Sequence, residues 1–190
     1  MSVDVSLARE HMVDSQIRPS DVTDLALIDA LRKAPRESLV PASRADLAYA
    51  DAELEYAPGL YLMRPRDAAK LLQALRPLPG ESALAIAAPF AALVLETMGL
   101  SVTRSEAGAA VKSRRGGYDL IVSEGAVNEI PDAWLKALAP GGRLGVVVRQ
   151  GPMGRAMLAT RAETGIGMRP IFDSAPPLLP GFAPKTAFVF

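Results

Sequence analysis

The chain has 190 residues, of which 49% are hydrophobic and only 5% aromatic, so it suits one domain with a mostly aliphatic core. Its 21 basic and 21 acidic residues cancel, which argues against a protein that binds nucleic acid or anionic membranes. The absence of cysteine excludes disulfides and thiolate metal sites, and a single histidine argues against a histidine-based zinc site.

The sequence carries no sign of a targeting or membrane segment. Charged residues occur early at the N-terminus, which differs from a secretory signal. The longest apolar run, residues 83–95, contains Pro89 and is shorter than the roughly 20 residues that a membrane helix needs. We therefore expect no membrane association and a cytoplasmic location.

Helical spacing of apolar residues dominates the beginning of the chain. It predicts a modest helix over residues 7–17, which an Arg-Pro pair stops. A second helix follows, with Asp21 or Thr23 as its capping residue and Pro35 at its end. These segments predict a helical region without a sheet.

A stretch rich in proline and glycine separates two parts of the chain. Residues 51–64 hold a Pro-Gly turn and no regular period, so we expect irregular structure there, followed by a helix over Pro65–Leu75. Two more prolines and a glycine come next. We assign residues 1–79 to an N-terminal helical extension and residues 80–190 to an α/β domain, and we expect them to form one compact unit.

The second part alternates short apolar runs with turns, which is typical of a buried sheet. Residues 83–87 predict a strand, and after an interruption at Pro89 an Ala/Leu-rich run predicts a helix, so this segment opens a parallel α/β unit. A later helix over residues 131–138 is expected to stop at a Pro-Gly-Gly sequence. Further strands are predicted at residues 100–103, 118–123, 144–148, 157–162, 168–172 and 187–190.

The spacing after the second predicted strand limits the topology. Only about 11 residues lie between Glu106 and Tyr118, which is close to the minimum for a single helical crossover between parallel strands. A helix, a strand and a second helix do not fit in that length. Residues 100–103 should therefore form an edge strand, and the short strand with Arg104 is suited to discourage edge-to-edge association.

Several segments resemble one known family. VSEGAVNEIPDAWLKALAPGGRLGVVV, residues 122–148, is similar to the segment after the fourth strand of protein-L-isoaspartate O-methyltransferases, which reads Val-Thr-Ala-Ala-Ala-Pro-Glu-Ile-Pro, then a Leu-rich helix, Pro-Gly-Gly-Arg-Leu and a Val-rich strand. REHMVDSQIRP at residues 9–19, LIDALRKAPRESLVP at residues 27–41 and LAYAD at residues 47–51 resemble its helical extension. The resemblance covers most of the chain in the right order.

The resemblance implies a fold, a cofactor and a substrate. The fold is the α/β, Rossmann-like architecture of S-adenosylmethionine methyltransferases, with a mostly parallel seven-stranded sheet and an N-terminal helical extension. Here the third strand and its Gly-Asp-Gly turn are expected to be missing. S-adenosylmethionine is the methyl donor of the family, and isoaspartyl carboxylates in damaged proteins are its substrate.

The sequence departs from the family pattern in the two motifs that bind the cofactor and the substrate. The glycine-rich loop Glu-Ile-Gly-x-Gly-x-Gly is replaced by Ala-Ile-Ala-Ala-Pro-Phe-Ala at residues 85–91. Pro89 offers no amide donor, and Phe90 puts a ring where the amino-acid moiety of the cofactor would lie. The substrate motif Thr-Ile-Ser-x-Pro corresponds to residues 61–65, in which Met63 replaces the serine and cannot donate a hydrogen bond to a carboxylate.

Five residues outline the vestigial cofactor cleft: Ala87, Ala88, Phe90, Glu106 and Glu124. The turn around Ala87 is either a remodelled ligand site or a former cleft filled by side chains, and we favour the filled cleft. Glu106 is either the acidic residue that holds ribose hydroxyls or an ordinary loop carboxylate, and we favour the loop. Glu124 either contacts a partner or caps its loop. An open cavity lined by Ala87, Ala88 and Glu124 would indicate another small-molecule ligand.

The sequence supplies no replacement catalytic residues and no metal-ligand spacing. We therefore predict a non-catalytic homologue that binds or scaffolds a protein partner, without nucleic acid or membrane, and that uses S-adenosylmethionine only if it is active. The alternative is an active S-adenosylmethionine-dependent protein-L-isoaspartate (D-aspartate) O-methyltransferase that holds its donor in an unusual way and acts on damaged proteins.

Overall fold

The N-terminal part is helical, as predicted from its apolar spacing. The computed structural model describes residues 4–111 and 114–183, so the strand predicted at residues 187–190 lies outside the described residues. The second helix is capped by Asp24, whose carboxylate accepts from the Leu27 N–H, and not by Asp21 or Thr23. The helical elements of this part are α1 (Val5–Met12), a π-helical turn (Val13–Ile17), a 3₁₀ turn (Arg18–Ser20), α2 (Leu25–Lys33) and two further 3₁₀ turns (Arg36–Leu39 and Ala42–Leu47).

A small hairpin replaces the irregular segment expected at residues 51–64. Strands β1 (Leu54–Ala57) and β2 (Leu60–Leu62) pair antiparallel around the predicted Pro-Gly turn, in which Gly59 adopts φ 72°. The expectation was wrong because the strands are too short to show a clear alternation. Helix α3 (Pro65–Leu75) then begins and ends where the sequence predicts.

The main sheet has six strands among the described residues and is mixed. From one edge to the other the order is β4-β3-β5-β6-β7-β8. The pairings among β4, β3, β5 and β6 are parallel, whereas β7 and β8 continue the sheet antiparallel. The strands are β3 (Ser82–Ile86), β4 (Ser101–Ser105), β5 (Tyr118–Val127), β6 (Leu138–Gln150), β7 (Met153–Ala162) and β8 (Gly165–Asp173).

The connection from β4 to β5 agrees with the spacing argument. Strand β4 lies at the sheet edge and pairs with β3, and the described residues of the connection, 106–111 and 114–117, form no further strand. They form turns and no helix, so the helical crossover that the length would have allowed is not used.

The two remaining helices lie on opposite faces of the sheet. Helix α4 (Pro89–Thr97) follows β3 as expected. Helix α5 (Asp132–Lys136) is shorter than the predicted helix over residues 131–138, because β6 already begins at Leu138 and contains the Pro-Gly-Gly sequence that was expected to stop the helix. A Cβ at Gly142 would lie 2.7 Å from the Tyr118 carbonyl oxygen, which explains a glycine in this close strand approach.

The sheet buries apolar side chains on both faces. Helices α1 to α4 cover one face with residues such as Leu31, Leu72 and Phe90, and α5 covers the other face with Trp134. The apolar core on the α1 to α4 face includes side chains from residues 1–79 and from residues 80–190. Within residues 4–111 and 114–183, no helix combines the length and the apolar character that crossing a membrane requires.

Candidate functional site

A cleft opens where β3 and β4 end. Parallel sheets hold their ligands at the carboxyl ends of their strands, and here β3 ends at Ile86 and β4 at Ser105. A cavity of about 410 Å³ lies at this edge. Its lining includes Tyr56 and Leu60 of the hairpin, Ala87, Ala88 and Pro89 of the turn, and Glu106.

The turn keeps a backbone shape that favours glycine. Ala87 has φ 44°, a left-handed conformation that costs a residue with a Cβ about 1–2 kcal/mol. Its N–H donates to the Ser105 carbonyl at 2.8 Å, so the turn is tied to the end of β4. The turn therefore contains a left-handed residue although residues 85–91 include no glycine.

The five predicted cleft residues fall into two groups. Ala87, Ala88 and Glu106 line the cavity, whereas Phe90 and Glu124 do not. The expectation of a filled cleft is therefore wrong at the turn, because alanine adds only a methyl group and leaves the space open. The suggestion that Glu124 would line an open cavity is also wrong. Whether any of these residues binds a cofactor stays a prediction.

Phe90 points into the core on the helical side of the sheet. Its side chain is fully buried, and the guanidinium of Arg36 lies over the ring at 4.5 Å from the centroid. Helix α4 begins at Pro89, so Phe90 occupies its first turn, and its ring lies against Arg36 of the first 3₁₀ turn after α2. The ring thus fills the space beside the beginning of α4.

Glu124 is a buried carboxylate at the beginning of α4. One oxygen, Oε1, accepts from the Ala91 N–H at 2.6 Å, and Oε2 accepts from the Met63 N–H at 3.3 Å. Burial raises the pKa of Glu124, while attraction to Arg36 and the backbone N–H groups favour its charged form. Glu124 lies within β5 and bonds to the first turn of α4, so it does not cap its own loop as the sequence suggested. Its side chain is only 1% exposed and is inaccessible to a partner.

Arg36 is a buried cation that sequence reasoning missed. Its Nε donates to the Ala48 carbonyl at 2.7 Å and its Nη2 to the Met63 carbonyl at 2.6 Å. Its Nη1 has no hydrogen-bond partner in the described part of the chain. Burial lowers the pKa of Arg36 to about 10, against the opposing effect of Glu124. No local signal distinguishes this arginine from the exposed charges near it.

Met63 and Ala91 both bond to Glu124. Met63, in the segment expected to correspond to the substrate motif, is buried and bonds to Glu124 through its N–H and to Arg36 through its carbonyl. Ala91, at the end of the segment expected to correspond to the cofactor loop, bonds to the same Glu124. We refer to Arg36, Met63, Phe90, Ala91 and Glu124 as the buried cluster. Within the described ranges, no group of three or more His, Asp or Glu side chains could hold a metal ion.

The chain is similar to named enzymes over most of its length. A protein-L-isoaspartate O-methyltransferase from Methylorubrum populi is 32% identical, over 83% of this chain and 86% of that protein. One from Gloeobacter violaceus is 33% identical, over 82% of this chain and 90% of that protein. No family model matches the chain.

Solved structures agree with this similarity at the level of the fold. A crystal structure from Plasmodium falciparum, described as a protein-L-isoaspartate O-methyltransferase in complex with S-adenosyl-L-homocysteine, superposes with a TM-score of 0.71 at 12% identity, covering 90% of this chain and 97% of that chain. A second protein-L-isoaspartate O-methyltransferase structure gives a TM-score of 0.68 at 18% identity, covering 91% of this chain and 66% of that chain. The sequence relatives and the shared fold show that the chain belongs to the protein-L-isoaspartate O-methyltransferase family.

Proposed function

We propose that this chain is a non-catalytic member of the family that acts by binding a protein partner. The observation that carries the proposal is the Glu124 carboxylate, which bonds to the amides of Ala91 and Met63. By the family pattern, the segments that contain these two residues would hold the methyl donor and the substrate.

The residues present do not fit the amino-acid end of S-adenosylmethionine. That end carries a carboxylate, for which the first amides of a helix after a turn are the natural donors. Here Pro89 has no amide hydrogen, and the Ala91 amide is bonded to Glu124. We therefore derive no methyl-transfer step for this chain.

The acceptor side supports the same proposal. Met63 has a buried thioether in place of a hydroxyl group, and a thioether cannot donate a hydrogen bond to a substrate carboxylate. Its backbone N–H and carbonyl, the other groups that could hold a peptide, are bonded to Glu124 and Arg36.

We expect the partner to be a protein and the location to be the cytoplasm. The equal numbers of acidic and basic residues provide no general attraction to nucleic acid or to an anionic membrane. The exposed edge strand β4, left free by the absence of a strand beyond it among the described residues, is one surface available for such an interaction.

A second candidate is an active S-adenosylmethionine-dependent protein-L-isoaspartate O-methyltransferase. The cavity of about 410 Å³ favours it, because the cavity lies at the ligand edge of the sheet and includes Glu106. Methyl transfer depends on positioning more than on acid and base groups, so few catalytic residues are required. The relatives from Methylorubrum populi and Gloeobacter violaceus, which are named protein-L-isoaspartate O-methyltransferases, also favour it.

Transfer of a radiolabelled methyl group to an isoaspartyl peptide separates the two candidates. We expect no incorporation above the blank without protein, at donor concentrations up to the millimolar range. An active protein-L-isoaspartate O-methyltransferase assayed in parallel establishes that the peptide is a competent substrate. Saturable incorporation by this chain, lost on heat denaturation, would replace the proposal with the second candidate.

A further inference from the structure

Glu124 occupies a site that is built like a receptor for a carboxylate. Its two oxygens accept from two different backbone amides, Ala91 at 2.6 Å and Met63 at 3.3 Å, which are 28 positions apart in the chain. Ala91 lies in the first turn of the nine-residue helix α4, whose dipole favours a negative charge there.

Arg36 provides an independent observation at the same place. Its guanidinium and the Glu124 carboxylate both bond to Met63, and the guanidinium stacks on Phe90, the residue before Ala91. The guanidinium is completely buried, and its Nη1 has no hydrogen-bond partner among the described residues. A buried cation with an unused donor favours an anion beside it.

We infer that Glu124 is an internal ligand: its side chain fills a carboxylate-binding site formed by the beginning of α4, the Met63 amide and Arg36, and this site takes a small free carboxylate when Glu124 is shortened. The two amides meet two separate oxygens, so the site matches a planar carboxylate better than a spherical halide. Truncation to alanine removes a CH₂–COO⁻ group, so the space left is large enough for formate, the smallest carboxylate.

The inference goes beyond the proposed function and does not depend on it. The proposed function needs only that Glu124 occupies the Ala91 and Met63 amides, whereas the inference requires that the site keeps its shape when Glu124 is shortened. The experiment below uses no S-adenosylmethionine and no methyl acceptor, so a negative result would contradict the inference without contradicting the proposed function.

The test compares thermal unfolding of Glu124→Ala in formate and in chloride at equal ionic strength and pH. At a few hundred millimolar, we expect formate to raise the midpoint of Glu124→Ala by about 5 °C more than chloride does. Wild type, in which the site is filled, should show no such difference. Glu106→Ala, which shortens the nearby cavity carboxylate, should also respond equally to both salts.

The double variant Arg36→Met/Glu124→Ala tests the part assigned to the guanidinium. It removes both buried charges, and we expect it to fold and to lose the preference for formate. Equal responses of Glu124→Ala to formate and chloride would overturn the inference, as would a formate effect that the double variant or Glu106→Ala shares.

A refolding measurement covers the case in which Glu124→Ala does not accumulate in folded form. The variant is then diluted from urea into formate or chloride, and recovery of a cooperative unfolding transition is measured. We expect recovery in formate and not in chloride. Failure to recover in both salts would show that the site collapses without Glu124, and it would end the claim of a receptor that exists independently of its ligand.

Discussion

At Ala87 the chain keeps a left-handed backbone conformation although it has no glycine there. The methyl group of Ala87 is therefore held against its conformational preference, by the hydrogen bond from its N–H to Ser105 and by the closing of the turn. Ala88, the next residue, has an ordinary φ of −125°. These neighbours have the same side chain and differ in backbone strain.

Replacing Ala87 by glycine should stabilise the protein. The strain relieved outweighs the added freedom of the unfolded chain, so we expect a gain of up to about 1 kcal/mol in the free energy of unfolding. Ala88→Gly is the matched control and should lose roughly 0.5–1 kcal/mol, because no strain is relieved there. Urea unfolding measures both. Equal losses in the two variants would contradict the conformation assigned to Ala87.

Phe90 should be one of the most sensitive side chains of the protein. It is fully buried and lies against Arg36, so Phe90→Ala leaves a cavity and removes the ring from a buried cation. We expect a loss of roughly 3–5 kcal/mol in the free energy of unfolding. Phe172→Ala, on the partly exposed strand β8, serves as control and should lose less. A loss below about 1 kcal/mol for Phe90→Ala would mean that the ring is not packed as described.

At the scale of elements, Arg143 joins three parts of the fold. From strand β6 its Nε donates to the Leu75 carbonyl at 2.8 Å and its Nη2 to the Arg76 carbonyl at 2.9 Å, at the end of α3. The same guanidinium forms two hydrogen bonds with Glu81, just before β3. One side chain thus fixes the end of a helix and the beginning of the first parallel strand.

Removing the Arg143 guanidinium should lower the free energy of unfolding more than removing a surface ion pair does. For Arg143→Met we expect a loss of about 2 kcal/mol in the free energy of unfolding, because two helix-terminal carbonyls and a half-buried carboxylate lose their donors. Arg104→Met is the control, since its two-pronged pair with Glu96 is exposed and should contribute less than about 1 kcal/mol. Chemical unfolding of both variants measures the difference, and similar losses would contradict a connecting role for Arg143.

The sequence was most informative where one short segment determines the structure. The apolar run of β3, the proline that opens α3 and the limited length between β4 and β5 each act locally, and the structure agrees with them. The hairpin was missed because its strands have four and three residues. At strand lengths of three or four residues, the turn can be recognised from the sequence while the strands cannot.

The buried cluster could not be predicted because its contacts join distant segments. Glu124 bonds to residues 61 and 33 positions away, and Arg36 bonds across 12 and 27 positions. Charged residues are seldom fully buried, so the sequence indicates no role for Arg36 and leaves Glu124 between a partner contact and a loop cap. The sequence shows that residues 85–91 contain no glycine, but it does not show that a carboxylate 33 residues away caps the helix after them.

At the scale of the whole molecule, the helical extension and the sheet share a core. Leu31, Leu72 and Val122 belong to one apolar core. The first two come from the predicted extension and the third from the predicted α/β domain. Arg36 adds a cation–π contact between the two parts, since it lies in the extension and its guanidinium stacks on Phe90 of α4. An N-terminal part held in this way is not expected to unfold by itself.

We therefore predict a single cooperative unfolding transition. Fluorescence of the only tryptophan, Trp134, reports on the sheet side, and far-ultraviolet circular dichroism reports on all helices, including those of the extension. The two signals should give the same midpoint in urea. Two separated midpoints would show that residues 1–79 and 80–190 are independent units, against the expectation of one compact unit.

The central claim is that the cleft no longer accepts the methyl donor of the family, and thermal unfolding with S-adenosylhomocysteine tests it most directly. A ligand present at 100 times its dissociation constant adds about 2.7 kcal/mol of stability, which for a chain of this length raises the unfolding midpoint on the order of 5–10 °C. We predict no saturable shift at concentrations up to the millimolar range. A saturable shift of that size, shared by S-adenosylmethionine, would contradict the account.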